Sequence, residues 1–435
     1  MTTTPRRLVL WFALAALAFA PTITGAMPIF HGARYLPYAV LVFSIYSFSF
    51  TQSQRCKRIA LVVLSIFIAV TVGDLAARPL IPYIIESRPI ERRVHAWAPQ
   101  PHLVRYDPGT TFDGVTYGDL AEMSRRKDLR EERRLRFVTD RFGFRNEPSS
   151  EGRTFDVILL GDSFGAVGGT TQDEMVSARL EKDYGLAVYN LSVGSHSPLQ
   201  EYATLVIENE RLKKREGATV LWLLFAGNDL DESYYDDLNA PSILSWPKQF
   251  IAAYERFHNG STVRQLFGRA DVREMVINRT FPDSRSILFV KTYADRVNRS
   301  ADEVRHHPNF DHFKMTFTLM RQFAQSKHLR VVVAVVPSKE EVYSWLLNRE
   351  PEWTSPKAPS GFSVVAHEFC DLNGFKFFDL KPTLIEASEK KFKESGELLW
   401  WRDDTHWNGV GQRVAADAIY ENLLRDISPS RYSLP

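Results

Sequence analysis

Hydrophobic positions are concentrated at the start of the chain. Residues 8–30 and 35–54 carry no charged side chain over 23 and 20 positions. With a rise of about 1.5 Å per helical residue, each run is long enough to cross a bilayer core of about 30 Å. A third run, residues 59–73, reaches that length only by continuing to residue 77. The pattern predicts a membrane anchor at residues 1–86 with about three transmembrane helices.

Basic residues predict the orientation of this anchor. Arg6 and Arg7 precede the first run, and residues 55–58 (RCKR) separate the second from the third. Because basic loops stay in the cytoplasm, the N-terminus is predicted to be cytoplasmic. Three crossings of the cell (inner) membrane then place the chain after about residue 79 in the periplasm or outside the cell. The alternative is a cleaved secretory signal ending at Ala18-Phe19-Ala20.

The remainder alternates between two periodicities. Apolar runs typical of buried strands occupy residues 155–160, 186–189, 218–225, 329–336 and 374–380. Helix-period segments occupy residues 171–182, 198–214, 310–326 and 412–424. Strands that alternate with helices predict an α/β three-layer sandwich, in which helices cover both faces of a parallel sheet. We assign this domain to residues 151–435, with a helical insertion at about residues 231–328. A polar, irregular linker or pre-domain segment is predicted at residues 87–150.

Composition excludes several classes of protein. The 54 basic and 52 acidic side chains give a net charge of +2, whereas nucleic-acid binding needs a clear basic excess. Two cysteines are too few for a disulfide framework or a cysteine-ligated zinc site. The charged run at residues 125–136 is either a solvated face or a contact for anionic lipid or polysaccharide. We predict no metal and no cofactor.

Polar residues suited to acyl transfer follow the predicted strands, where sites form in parallel sheets. They are Ser163, Gly194, Asn228 and Asp229, and the segment Asp403-Asp404-Thr405-His406-Trp407 before the last helix. A serine hydroxyl becomes a nucleophile when an imidazole takes its proton and a carboxylate fixes the imidazole tautomer. Backbone amides of Ser163 and Gly194 and the side-chain amide of Asn228 are suited to stabilising an oxyanion.

These blocks resemble, in order and spacing, those of the SGNH (GDSL-type) hydrolases over about residues 155–426. The resemblance implies an SGNH or flavodoxin-like fold, with Ser163 as the nucleophile and His406 as the base. Residues 404–407 are also similar to the Asp-x-His-Trp signature of the alginate O-acetyltransferase relatives, and residues 336–340 to their Pro-Ser-Lys run. In those relatives the histidine motif precedes the serine, whereas here it follows. Either Asp403 or Asp404 is the acid that orients His406.

The function predicted from these features is a membrane-anchored, outward-facing serine acyl-transfer enzyme. It adds or removes O-acetyl esters on a cell-surface polysaccharide, with Asp229, Lys339 and Trp407 as substrate-binding residues. Aromatic residues of the insertion, Trp246 and Tyr254 among them, either stack on sugar rings or pack the insertion's own core. The expected partners are the polysaccharide or another acylated glycan, the lipid bilayer and a membrane acyl-donor protein, without nucleic acid. The alternative is a non-catalytic component of a polysaccharide assembly or export complex.

Overall fold

The structure is a computed structural model of the 435-residue chain. It describes residues 94–97, 100–124, 126–166, 169–231 and 275–427, with scattered positions between 53 and 76. Apart from those positions, the three predicted membrane segments and the aromatic residues Trp246 and Tyr254 lie outside the described residues. No described helix has the length and hydropathy needed to cross a membrane. Residues 88–239 and 275–435 form one compact unit, and residues 1–87 and 240–274 form another.

The regular elements of the described unit are numbered in chain order. The strands are β1 Val94–Trp97, β2 Gln100–Tyr106, β3 Thr111–Thr116, β4 Arg133–Val138, β5 Phe155–Leu160, β6 Val188–Asn190, β7 Lys214–Phe225, β8 Val276–Thr280, β9 Ser286–Val290, β10 Arg330–Val336 and β11 Lys376–Asp379. The helices are α1 Asp119–Ser124, α2 Ser163–Ala166, α3 Val176–Tyr184, α4 Pro198–Glu208, α5 Lys291–Ala294, α6 Ala301–Arg305, α7 Phe310–Ser326, α8 Lys339–Val342, α9 Ser344–Asn348, α10 Gly361–Asn373, α11 Lys381–Ser395 and α12 Gly409–Ile419. Short 3₁₀ turns occupy Lys127–Leu129, Pro148–Ser150 and Gln172–Glu174, and a π-helical turn at Tyr420–Leu424 follows α12.

Five strands form a parallel sheet in the order β11-β10-β7-β5-β6. This is the doubly wound order of flavodoxin-like folds, in which the chain first proceeds to one edge and then returns past its first strand to build the other. The reversal falls between β5 and β7, and a crevice forms there at the carboxyl ends of the strands. The predicted α/β class with a parallel sheet is confirmed.

Alternate residues of the sheet strands enter two separate cores. Val157, Leu221 and Val332 belong to the core on one face, together with α3, α11 and α12. Ile158 and Trp222 belong to the core on the other face, together with α4, α7 and α10. Both faces are covered, which explains why the strands are continuous apolar runs rather than alternating ones.

Most of the predicted elements are present with small shifts at their ends. Strand β5 and helix α7 have the predicted bounds, and β7 begins at Lys214 rather than residue 218. Helices α3 and α10 are each followed by a capping glycine, Gly185 and Gly374, both in the left-handed region with φ of 71°. Glycine adopts that conformation without the steric cost that a side chain brings.

The described part of residues 87–150, which we predicted to be a polar, irregular linker or pre-domain segment, forms regular elements. Strands β3 and β4 pair antiparallel, as do β1 and β2, and α1 lies between the two strands of the second hairpin. Strand β4 alternates between buried Leu135 and Phe137 and exposed Arg134 and Arg136. The charge of the exposed arginines concealed this strand pattern in the sequence.

The insertion also differs from the prediction of a helical segment. Its described part, residues 275–328, begins with the antiparallel hairpin β8–β9. Phe281, Ile287 and Phe289 of this hairpin are buried in the sheet's core. The turn between the strands is closed by the Phe281 amide, which donates to the Arg285 carbonyl at 2.9 Å. Helices α5, α6 and α7 follow, as predicted for the second half of the insertion.

Candidate active site

A pocket of about 660 Å³ opens at the carboxyl ends of β5 and β7. Four of its described lining residues are the predicted Ser163, Gly194, Asn228 and His406. Most of the other described lining residues are apolar or aromatic, namely Val104, Tyr106, Met123, Phe225, Met275, Val290 and Tyr293. The remaining lining residues are polar, namely Asp119, Ser195, Thr292 and Thr405. The structure therefore brings four residues from distant parts of the sequence to one crevice.

Ser163 lies at the first position of α2, directly after β5. Its hydroxyl donates to Asp162 Oδ2 at 3.3 Å, and the Phe164 amide donates to Asp162 Oδ1 at 3.0 Å. Burial raises the pKa of the Asp162 carboxyl, while the Phe164 amide and His406 act in the opposite direction. Asp162 thus fixes the turn that presents the serine, and the hydroxyl must rotate away from it to reach a base.

The loops after β5 and β6 are joined by hydrogen bonds. The Asn190 side chain donates to the Gly165 carbonyl at 2.7 Å and accepts from the Ser192 amide at 2.9 Å. A Cβ at Gly165 would lie 2.1 Å from Ser192 Oγ, so only glycine permits this approach. The Gly194 amide donates to the hydroxyl of Tyr106 at 3.3 Å, a long hydrogen bond.

His406 lies on a loop between α11 and α12 that is held at both ends. Trp400 and Trp407 pair as an antiparallel bridge, and Asn408 caps α12 by accepting from the Val410 and Gly411 amides, each at 3.0 Å. The Trp407 carbonyl accepts from the Thr170 hydroxyl at 3.0 Å, which ties this loop to the segment after α2. Packing and capping therefore fix the backbone on both sides of the histidine.

Asp404, and not Asp403, contacts the imidazole. His406 Nδ1 lies 2.7 Å from Asp404 Oδ1, and the His406 amide donates to the same oxygen at 3.2 Å. Asp403 instead accepts from the amides of Gly118 at 2.7 Å and Glu131 at 2.8 Å. Burial raises the pKa of the Asp403 carboxyl, although Arg133 opposes the shift.

Arg133 bridges the two aspartates from strand β4. Its Nη1 donates to Asp403 Oδ1 at 2.9 Å and its Nη2 to Asp404 Oδ2 at 2.6 Å. All three side chains are at most 5% exposed. The guanidinium also lies 4.3 Å from the centre of the Trp401 ring, a cation–π distance. This buried ion-pair network orients Asp404 toward the histidine.

The three predicted substrate-binding residues are buried away from the pocket, which corrects that prediction. Asp229 accepts from the Phe225 amide at 2.7 Å and so closes the turn that carries Asn228. Lys339 donates to the Asp404 carbonyl at 2.6 Å, and burial lowers the pKa of its ammonium group. Trp407 packs edge-on against Phe164 at 4.9 Å. Each supports the site from behind rather than facing a ligand.

Sequence reasoning missed Asp119, Thr405 and Arg133. The signal for Arg133 is the alternation in residues 133–138, which places it on the same face as Leu135 and Phe137. Asp119 follows Gly118, whose Cβ would lie 1.7 Å from the Asp403 carbonyl oxygen. Neither signal distinguishes these positions from other surface charges until the fold is known.

One group of side chains in the described residues has the spacing of metal ligands. Asp119, Asp404 and His406 each offer one ligand atom, and these atoms lie within 4.8 Å of one another. The 2.7 Å contact between His406 Nδ1 and Asp404 Oδ1 is a hydrogen-bond distance, and a metal between these atoms would break it. Hydrogen bonding accounts for the cluster.

Comparison with known proteins finds a family model that matches part of this chain. Residues 294–432 match the family model described as "SGNH hydrolase-like domain, acetyltransferase AlgX". The matched region contains His406 and Asp404 but not Ser163, Gly194 or Asn228. The match confirms the predicted resemblance to the SGNH hydrolases and the predicted enzyme class, an SGNH-type esterase or O-acetyltransferase.

The solved structures that are similar to this chain include three proteins whose sequence identity to it is low. An acetyl xylan esterase is 13% identical, with 61% of this chain and 98% of that chain covered and a TM-score of 0.31. A gut microbial diltiazem-metabolizing enzyme is 11% identical, with coverages of 62% and 47% and a TM-score of 0.32. A protein from Bacillus subtilis is 9% identical, with coverages of 73% and 75% and a TM-score of 0.34. The search of curated proteins found no match.

Proposed function

We propose that this protein is a membrane-anchored, outward-facing serine enzyme that adds or removes O-acetyl esters on a cell-surface polysaccharide. The observation that carries the proposal is the 2.7 Å contact between Asp404 Oδ1 and Nδ1 of His406, which lines the same pocket as Ser163. A carboxylate on Nδ1 leaves Nε2 of the imidazole to act as the base. The family match at residues 294–432 supports acetyl transfer chemistry.

In the proposed reaction the Ser163 hydroxyl attacks the ester carbonyl while His406 Nε2 takes its proton. Asp404 holds the imidazole in the required tautomer and stabilises the imidazolium that forms. Collapse of the tetrahedral intermediate breaks the bond to the leaving alkoxide, which takes the proton from His406. The acyl group remains on Ser163 until water or a sugar hydroxyl, deprotonated by the same base, attacks it.

Three donors are assigned to the oxyanion. They are the backbone amides of Ser163 and Gly194 and the side-chain amide of Asn228, all of which belong to residues that line the pocket. The Gly194 amide donates to Tyr106 at 3.3 Å in this structure. A developing negative charge is a stronger acceptor than a neutral hydroxyl, so the oxyanion is expected to displace this contact.

Trapping of the acyl-enzyme tests this function. The purified full-length protein, given an activated acetyl ester, is expected to gain one acetyl group on Ser163, detected by mass spectrometry. An added oligosaccharide should speed the decay of this adduct and become acetylated if the enzyme is a transferase. Decay to acetate alone identifies an esterase, and Ser163→Ala is the control that should form no adduct. Absence of an adduct in the unsubstituted protein, with any ester, would favour the non-catalytic component of an assembly complex.

Membrane anchoring and outward orientation rest on the uncharged runs at residues 8–30 and 35–54 and on the basic residues beside them. An enzyme held beside a membrane donor gains effective concentration for the transferred acyl group. Reporter fusions after Arg88 are expected to be active only on the outer side of the membrane, with a fusion in the loop at residues 55–58 as the cytoplasmic control. A reporter after Arg88 that is active only in the cytoplasm would contradict the orientation.

A further inference from the structure

A second carboxylate lies beside the candidate base. Asp119 begins α1, lines the pocket and has a side chain that is 20% exposed. It accepts from the Thr405 amide at 2.9 Å and from the Thr405 hydroxyl at 2.5 Å. Its Oδ2 lies 3.9 Å from His406 Nδ1. Asp119 therefore holds the residue immediately before the histidine through both its backbone and its side chain.

The Thr405 hydroxyl connects this carboxylate to the imidazole. Thr405 Oγ1 lies 3.0 Å from His406 Nδ1. A hydroxyl has one proton, and an ionised carboxylate has none to give, so the Thr405 proton points to Asp119. The lone pairs of Oγ1 then face Nδ1, which favours a proton on that nitrogen.

We propose that Asp119, acting through the Thr405 hydroxyl, is a positioning residue that keeps the proton of His406 on Nδ1 and strengthens the imidazole as a base. The inference rests on the proposed function, in which Nε2 must be free of a proton to activate Ser163. Asp404 accepts from Nδ1 directly, and the Thr405 hydroxyl, oriented by Asp119, offers the same nitrogen a second acceptor. Without Asp119, the hydroxyl can turn and donate to an unprotonated Nδ1, which stabilises the wrong tautomer.

The charges around His406 decide in which direction the pH–rate profile shifts when Asp119 is replaced. The titratable groups that surround it from the packed elements are Asp119 on α1, Arg133 on β4, Asp162 after β5, Lys339 on α8, Asp403 and Asp404 on its own loop, and the pocket tyrosines Tyr106 and Tyr293. Removing the negative charge of Asp119 makes the imidazolium less favourable. A base that loses its proton more easily is active at lower pH, so the acid limb of the rate profile should move to lower pH.

Four substitutions separate positioning from simple anchoring of the loop. Asp119→Asn is isosteric and retains an oxygen for the Thr405 amide, but it removes the charge and offers a donor to the hydroxyl. Thr405→Val removes the hydroxyl and keeps the backbone hydrogen bond, whereas Thr405→Ser retains both. Asp113→Asn is the matched control, because Asp113 lies in the same segment and pairs with the exposed Arg134.

The kinetic test uses the full-length protein with a chromogenic acetyl ester across a range of pH. Asp119→Asn and Thr405→Val are each expected to lower kcat about tenfold with little change in KM. This loss is smaller than the ~10²–10⁴-fold rate enhancement that a positioned general base contributes, because the base itself is still present. Asp119→Asn should also shift the acid limb to lower pH. The double variant should be no slower than Thr405→Val alone, and Thr405→Ser should restore the rate. A kcat and pH profile unchanged in Asp119→Asn, or additive losses in the double variant, would overturn the proposal.

Nitrogen-15 NMR of histidine-labelled protein, assigned with His406→Ala, reads the tautomer without any turnover. The expected spectrum has the proton of neutral His406 on Nδ1, and a part of the population with the proton on Nε2 in Asp119→Asn. Identical His406 spectra in the two proteins would refute the role of Asp119. This measurement stands even if no ester is turned over, so failure of the proposed function is distinguished from failure of this inference.

Discussion

Asp404→Asn is expected to lower kcat by about 10⁴, the scale for losing the carboxylate that fixes a catalytic histidine's tautomer. An amide at this position can present its NH₂ group to Nδ1, which favours the tautomer whose Nε2 carries a proton. Such an imidazole cannot accept the proton of Ser163. The measurement is the kcat of the full-length protein for a chromogenic acetyl ester, normalised to the folded fraction from circular dichroism.

Asp403→Asn is the matched control for this prediction. Asp403 and Asp404 are chemically identical and equally buried. Asp403, however, accepts hydrogen bonds from the amides of Gly118 and Glu131 and does not contact the imidazole. Its replacement should lower the melting temperature and leave a much larger share of kcat in the protein that folds. Equal losses of kcat in the two variants would contradict the assignment of Asp404 as the acid.

Arg133→Met is expected to destabilise the protein by about 3–5 kcal/mol, because it leaves two buried carboxylates without their cation. The effect should depend on pH. Burial already raises the pKa of Asp403 with Arg133 present, and loss of the cation raises it further. The folded variant then binds protons that the unfolded chain has released, so its stability falls as pH rises above the unfolded Asp value of about 3.9 and through the raised folded pKa. The deficit relative to the unsubstituted protein should be larger at pH 8 than at pH 5.

Thermal unfolding at the two pH values measures this deficit. Arg134→Met is the control, because Arg134 is the next residue of β4 but its side chain is 81% exposed and pairs with Asp113 at the surface. Exposed ion pairs contribute about 0–1 kcal/mol. A deficit in Arg133→Met that is no larger than that of the control, or that grows as pH falls, would show that the aspartates do not depend on this cation.

The sheet could be predicted from the sequence because its strands are buried on both faces and its helices have clear periodicity. Ser163, Gly194, Asn228 and His406 were predictable for a related reason: each follows directly on one of these strands or precedes the last helix, so the fold class fixes their position. The choice between Asp403 and Asp404 was not predictable. Adjacent residues on a loop differ only in direction, and that direction is set by Gly118 and Arg133, far away in the chain.

The strands within residues 87–150 could not be predicted from the sequence. Their hairpins are short and rich in charge, and the arginines of β4 alternate with apolar residues in a way that resembles a solvated charge run. The alternation in β4 places Arg133 on the apolar face and Arg134 on the exposed face, but only tertiary contact shows that Arg133 is buried against two carboxylates. Asp229, Lys339 and Trp407 illustrate the same limit, since polar or aromatic character near a site does not reveal whether a side chain faces the pocket or supports it from behind.

The docking of the Asp403 loop on residues 118–133 has a consequence for folding. Gly118 and Asp403, which this contact joins, lie 285 residues apart in the sequence. Contacts of such long sequence separation form late, since the loop-closure entropy must be met before they contribute. Orientation of the histidine therefore depends on closing a chain segment of 285 residues. A fragment that contains the parallel sheet but lacks residues 118–133 would have the histidine without the contacts that orient its acid.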